Sequence, residues 1–184
     1  MNRPNNYDTT DAFTGEGQRL TVGGKICTIV NAYETTTKKT NQPMLALEFD
    51  IAEGEEKGFY EAAQQQYGGD WRGVYRQGTL DKDGNCSPFF KGMISAIEES
   101  NDRYKFDFNE KTLIGKKFGG VFGEEEYTGK DGTVKTAVKL MQIRSTDAIR
   151  KGNFKIPPKK TVSGTTQPAV DKGFSDVDGE KIPF

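Results

Sequence analysis

Rings and guanidinium groups alternate in the run Trp71-Arg72-Gly73-Val74-Tyr75-Arg76, with one small residue among them. Planar rings offer stacking faces for nucleobases, and guanidinium groups pair with phosphates, so this spacing suits the chemistry that holds single-stranded nucleic acid. Gly73 is expected to let a ligand come close to the backbone. Further candidate rings are Tyr33, Tyr60, Tyr67, Tyr127, Phe118 and Phe122, and further candidate phosphate contacts are Lys116, Lys117, Lys135 and Lys139. Core packing competes for every one of these rings, most strongly for the phenylalanines.

Other chemistries lack their residues. The chain has no histidine, which removes Ser/His and Cys/His nucleophilic machinery and every histidine-containing zinc or iron site. Cys27 and Cys86 are too few for a disulfide framework and too far apart for a metal knuckle, and both read as reduced, half-buried thiols. Glu124-Glu125-Glu126, or Asp81 with Asp83, could hold a divalent ion for a nuclease. Consecutive residues on a strand point to alternate faces, however, so the triplet converges poorly on one ion, and Asp81 and Asp83 sit in a turn sequence. The expectation is a binding protein without metal or cofactor, and not an enzyme.

At 184 residues with 33% hydrophobic residues and 22 glycines, the chain suits one domain with a small core and much turn and loop. No stretch is apolar enough to span a bilayer and no export signal opens the sequence, so a soluble cytoplasmic protein is expected. The formal net charge of -1 hides an asymmetry. Residues 111–160 hold twelve basic and five acidic residues, a net of +7, whereas 161–184 hold four acids and two bases. A basic half followed by an acidic end suits a polyanion binder with a recruiting tail.

These residues need elements to position them. Leu20 to Tyr33 reads as a long strand bent or bulged near Gly23-Gly24, and Met44 to Ile51 alternates with Leu45, Leu47, Phe49 and Ile51 inward. The two form a hairpin whose loop carries Lys38 and Lys39. Residues 57–80 suit neither period well, and a strand is placed over Arg72 to Leu80. Ser87 as N-cap, Pro88 at the first position and Phe90, Met93, Ile94 and Ile97 at helical spacing predict one amphipathic helix ending near Asn101. Lys116 to Tyr127 and Thr133 to Arg144 read as two more strands, joined by a turn carrying Lys130, and Met141 and Ile143 suggest either a bulge or burial on both sides near the end of the second. Five strands would also suit an SH3-like barrel or a small antiparallel sandwich, but one helix between the third and fourth favours an all-β, five-stranded OB-fold barrel over 19–156, whose 1-2 and 4-5 loops carry those lysines. Residues 1–18 are expected to form a flexible arm and 157–184 a disordered linker and acidic tail.

The closing residues Asp176-Val177-Asp178-Gly179-Glu180-Lys181-Ile182-Pro183-Phe184 resemble the tails of bacterial and phage single-stranded DNA-binding proteins, and Gly24 to Gly54 resembles the phage-encoded members. The resemblance implies that the protein protects exposed single-stranded DNA and recruits replication or recombination proteins through Asp176, Asp178, Glu180, Ile182, Pro183 and Phe184. It implies no membrane partner and leaves a homo-oligomer open. Lys181 and the shortness of the acidic run depart from the family pattern. A competing reading is a phage structural or adaptor protein whose barrel serves only protein contacts.

Overall fold

The computed structural model describes residues 2–5, 7–9 and 19–162. Its centre is a five-stranded antiparallel sheet in the order β3-β2-β1-β4-β5, built from β1 (Gly23–Thr36), β2 (Pro43–Ile51), β3 (Val74–Gly78), β4 (Lys117–Thr128) and β5 (Val134–Arg144). The β1–β2 hairpin runs from Thr36 opposite Pro43 to Cys27 opposite Ile51. Its bulge leaves out Val30, further along β1 than Gly23-Gly24, which begin the strand instead. The second bulge falls where the sequence expects it: Val121 pairs with Gln142 and Phe122 with Leu140, leaving Met141 unpaired.

The alternation in β2 places Leu45, Leu47, Phe49 and Ile51 in the core, but Ala46 and Asp50 on the opposite face are buried too, Asp50 beneath residues 60 and 61. Phe49 is the centre of an aromatic cluster, meeting Tyr60, Phe118 and Phe122 edge to face at 5.3, 5.7 and 6.1 Å. Cys27 is fully buried beside them, and burial pushes its thiol far above the ordinary value, whereas Cys86 is exposed.

One helix is expected, and the described residues contain three. α2 (Pro88–Glu99) follows the anticipated pattern, with Met93, Ile94, Ala96 and Ile97 buried. α1 (Phe59–Tyr67) arises in the stretch that suits neither period. Its N-terminus has no side-chain cap of its own, and the buried carboxylate of Asp50 on β2 accepts hydrogen bonds from the backbone N–H groups of Tyr60 at 2.9 Å and Glu61 at 3.0 Å. A cap supplied from another element satisfies the unpaired first-turn donors and favours the positive end of the helix dipole. α3 (Thr146–Arg150) follows β5, with Ser145 Oγ accepting from the Ala148 N–H, and its Ile149 packs beside Phe154 over Gly24, where any side chain would collide.

The closed barrel does not form. β3 and β5 share no hydrogen bonds, so the sheet keeps two edges. The physical reason is what stands between them: α2 packs against both β3 and β5, and the remainder of the gap is an open cleft. β1 pairs with β4 only as far as Phe122, so the β4–β5 hairpin continues past the sheet as a two-stranded arm. The chain returns to support that arm. Lys160 bridges in parallel to Glu125, and its N–H and C=O bond Glu124 and Glu126 of β4. Backbone pairing therefore reaches beyond residue 156, as far as Lys160. Most of the expected N-terminal arm, and all six tail residues from Asp176 to Phe184, lie outside the described residues. No helix among the described residues is long and apolar enough to cross a membrane.

Candidate nucleic-acid interface

The gap between the sheet edges is a cleft of about 1150 Å³. One wall comes from Trp71, Arg72, Val74 and Arg76 on and before β3, and the facing wall from Lys135 to Leu140 of β5 with Glu124 and Tyr127 of β4. Phe49, Phe59 and Tyr60 line it from the core side and Arg19 and Leu20 from the chain entering β1. Five basic residues and one acidic residue thus line this space, which concentrates positive potential there.

Local structure fixes the aromatic wall. The Trp71 indole N–H donates to the Phe49 carbonyl at 3.0 Å, so the ring is held against β2 with part of its surface in the cleft. Gly73 is required by packing rather than by ligand approach: a Cβ there would lie 2.4 Å from the Phe49 carbonyl oxygen and 2.7 Å from the Tyr60 ring. Its own carbonyl accepts the Phe49 N–H at 2.8 Å. This close contact brings Trp71 and Arg72 onto the core edge. Tyr60 is mostly buried, edge-on to Phe59 at 5.2 Å, and burial holds its phenol above the ordinary range.

The sequence-predicted residues divide into three groups. Tyr60, Trp71, Arg72, Arg76, Tyr127, Lys135 and Lys139 line the cleft together. Lys38 and Lys39 are exposed in the loop after β1, and Lys130 at the β4–β5 turn, at opposite ends of the sheet. The others lie elsewhere. Tyr33 is half-buried on β1, and Tyr75 faces α2 across a separate groove, its phenol raised by burial. Lys116 sits 4.6 Å from the Tyr104 ring centroid, and Lys117 pairs with Glu53 at 2.8 Å. Phe118 and Phe122 have no exposed surface, so their rings serve the core and present no face to a base. Tyr67 is exposed at the end of α1, with the Arg72 guanidinium over its ring at 5.1 Å.

Arg19 and Phe59 line the cleft and were not among the sequence candidates. Arg19 stands at the end of a polar stretch, and only its position next to the buried Leu20 hints at a fixed location. Phe59 belongs to the helix that sequence periodicity misses.

Charge pairing separates the two walls. Lys135 bonds Asp131 at 3.0 Å and Lys139 bonds Glu125 at 2.8 Å. Among the described residues, no carboxylate pairs with Arg19, Arg72 or Arg76. Three of the five acids considered as metal ligands are engaged: Glu125 pairs with Lys139, Glu126 pairs with Lys159 at 2.8 Å, which holds its carboxyl below the usual range, and Asp81 accepts the N–H groups of Asp83 and Asn85 within its turn. Among the described residues, no three acidic or cysteine side chains gather as a metal site.

No protein-family model matches the chain, and no curated protein matches it in sequence.

Proposed function

We propose that the protein binds single-stranded DNA with little sequence preference in the cleft between β3 and β5, on an open OB-type framework. The observation that carries this reading is the grouping of Arg19, Arg72 and Arg76, none with an acidic partner among the described residues, beside the exposed parts of Trp71 and Tyr127. Guanidinium groups pair with phosphates, and the rings accept bases in any order because every base has a stacking face. The OB-type assignment is supported by the strand order β3-β2-β1-β4-β5 and by α2 between β3 and β4, with the β3–β5 seam left open for ligand. In this reading Lys38, Lys39 and Lys130 extend the phosphate track from the two hairpin loops. The acidic tail ending in Ile182-Pro183-Phe184 recruits replication or recombination proteins, a role that rests on its sequence resemblance.

The test is a titration with single-stranded and duplex oligonucleotides at several salt concentrations, read through the emission of Trp71, the only tryptophan. Single strands should quench Trp71 and bind much more tightly than duplex, with affinity falling steeply as salt rises because bound cations are displaced from phosphates. Equal affinity for duplex, or a flat salt response, would overturn the proposal.

A further inference from the structure

A smaller cavity of about 160 Å³ opens beside the cleft, between α1 and the Arg72 side chain. Phe59, Tyr60 and Arg72 line both spaces, so they are neighbouring compartments with a common wall. Ala62, Ala63, Gln66 and Tyr67 complete the small one. We infer that this cavity is a slot for one nucleobase turned out of a strand lying in the cleft, an inference that rests on the single-strand reading above.

The chemistry of the walls selects that occupant. The volume of about 160 Å³ suits a single heteroaromatic ring, whose sugar and phosphate would stay outside at its open mouth. Three aromatic rings and a guanidinium plane surround it, the surfaces on which unstacked bases settle in single-strand recognition. Two alanines on the helix side keep the floor open, and the Gln66 amide offers a donor and an acceptor to a base edge. Among the described residues no carboxylate lines the slot to repel an electron-rich base carbonyl. Arg72, lying 5.1 Å over the Tyr67 ring, stands at the junction where it can stack on the turned base and still reach the adjoining phosphate.

Filling the slot or removing its outer ring tests this with the cleft arginines themselves kept, and Ala63→Leu also keeps the Tyr67 ring under Arg72. Ala63→Leu and Tyr67→Ala, the first occupying the cavity and the second removing a wall, are compared with the unaltered protein on an oligo(dT) strand and on an abasic strand of equal length. Thermal unfolding is recorded alongside. Each variant should lose roughly ten- to a hundredfold in oligo(dT) affinity, the scale of one base contact, and bind the abasic strand as the unaltered protein does. Undiminished oligo(dT) binding by the two variants overturns the slot, as does an equal loss on both strands. If Ala63→Leu unfolds the protein, the exposed Tyr67→Ala decides alone. Equal binding of both strands by the unaltered protein removes the slot but leaves the cleft's phosphate contacts standing. Binding of neither strand removes the cleft reading itself.

Discussion

The β3 wall of the cleft and the β4–β5 arm opposite carry similar numbers of basic groups, and they differ in what those groups already hold. On the arm and its surroundings, seven of the twelve bases in residues 111–160 stand within ion-pair distance of a carboxylate: Lys111, Lys117, Lys135, Lys139, Arg150, Lys151 and Lys159. The arginines facing them come from stretches with no charge excess, yet none has a carboxylate partner among the described residues. Positive charge summed along a sequence window is therefore a poor map of where an anion meets an unengaged cation. Exposed ion pairs are weak, about 0 to 1 kcal/mol, so phosphates can still compete for the lysines, but each exchange returns less than contact with an unpaired guanidinium.

Six variants would break or sharpen this contrast, and the largest effect falls in neither wall. Phe122 is fully buried behind the cleft, so Phe122→Ala should cost ~3 to 5 kcal/mol of folding stability by denaturant unfolding. The protein that remains folded should keep its DNA affinity; a selective loss of affinity at full stability would return Phe122 to the stacking surface.

Next in size is a direct comparison of the walls. The double change Arg72→Ala with Arg76→Ala should weaken single-strand binding more than Lys135→Ala with Lys139→Ala. If two phosphate contacts are lost, the slope of log affinity against log salt should fall by ~1.4, from ~0.7 per phosphate on single strands. A larger loss from the lysine pair would invert the contrast drawn here.

Asp50→Asn should cost ~1 to 3 kcal/mol, since an amide can accept only on one side and the charge-assisted bonds to Tyr60 and Glu61 are weakened. Because α1 supplies Phe59 and Tyr60 to the cleft, amide exchange in the first turn of α1 should rise together with the dissociation constant for DNA. Glu125→Gln on the opposite arm should alter stability by less than about 1 kcal/mol.

The smallest effect is a pH dependence at Glu53. Hydrogen bonds from Lys117 first, and also from Arg150, hold its carboxyl below the ordinary carboxylate value. The pKa is lower folded than unfolded, so the stabilising contribution is present above the unfolded value and is lost as pH falls through the folded one. Glu53→Gln should flatten that acid limb, lowering stability near neutrality by less than about 1 kcal/mol and leaving it unchanged once pH has fallen below the folded value. A variant with an unaltered acid limb would show that the pairs contribute nothing.

Elements whose stabilising contacts are local were legible in the chain. Ser87, Pro88 and the spacing of Phe90, Met93, Ile94 and Ile97 located α2, and the period-two pattern of Leu45 to Ile51 located β2 with its inward face. The two hairpin turns and the Met141 bulge were legible for the same reason: turn residues and a broken alternation act over a few positions. α1 was not, because its N-terminal cap is Asp50, nine residues earlier on another element, and Gly73 carried a different meaning until the Phe49 carbonyl stood beside it.

By itself the sequence determined the ring-and-guanidinium run, the absence of histidine chemistry, the four longest strands, α2 and the acidic character of the C-terminal stretch. Only the tertiary structure decided that β3 and β5 stay apart, that Arg19 and Phe59 join Trp71 and Arg72 on one cleft, that Phe118 and Phe122 belong to the core, and that much of the basic window is paired with its own acids. The division follows from range. Periodicity and turn chemistry act between near neighbours, whereas burial, charge pairing and the width of a cleft depend on residues that meet only after the sheet has folded.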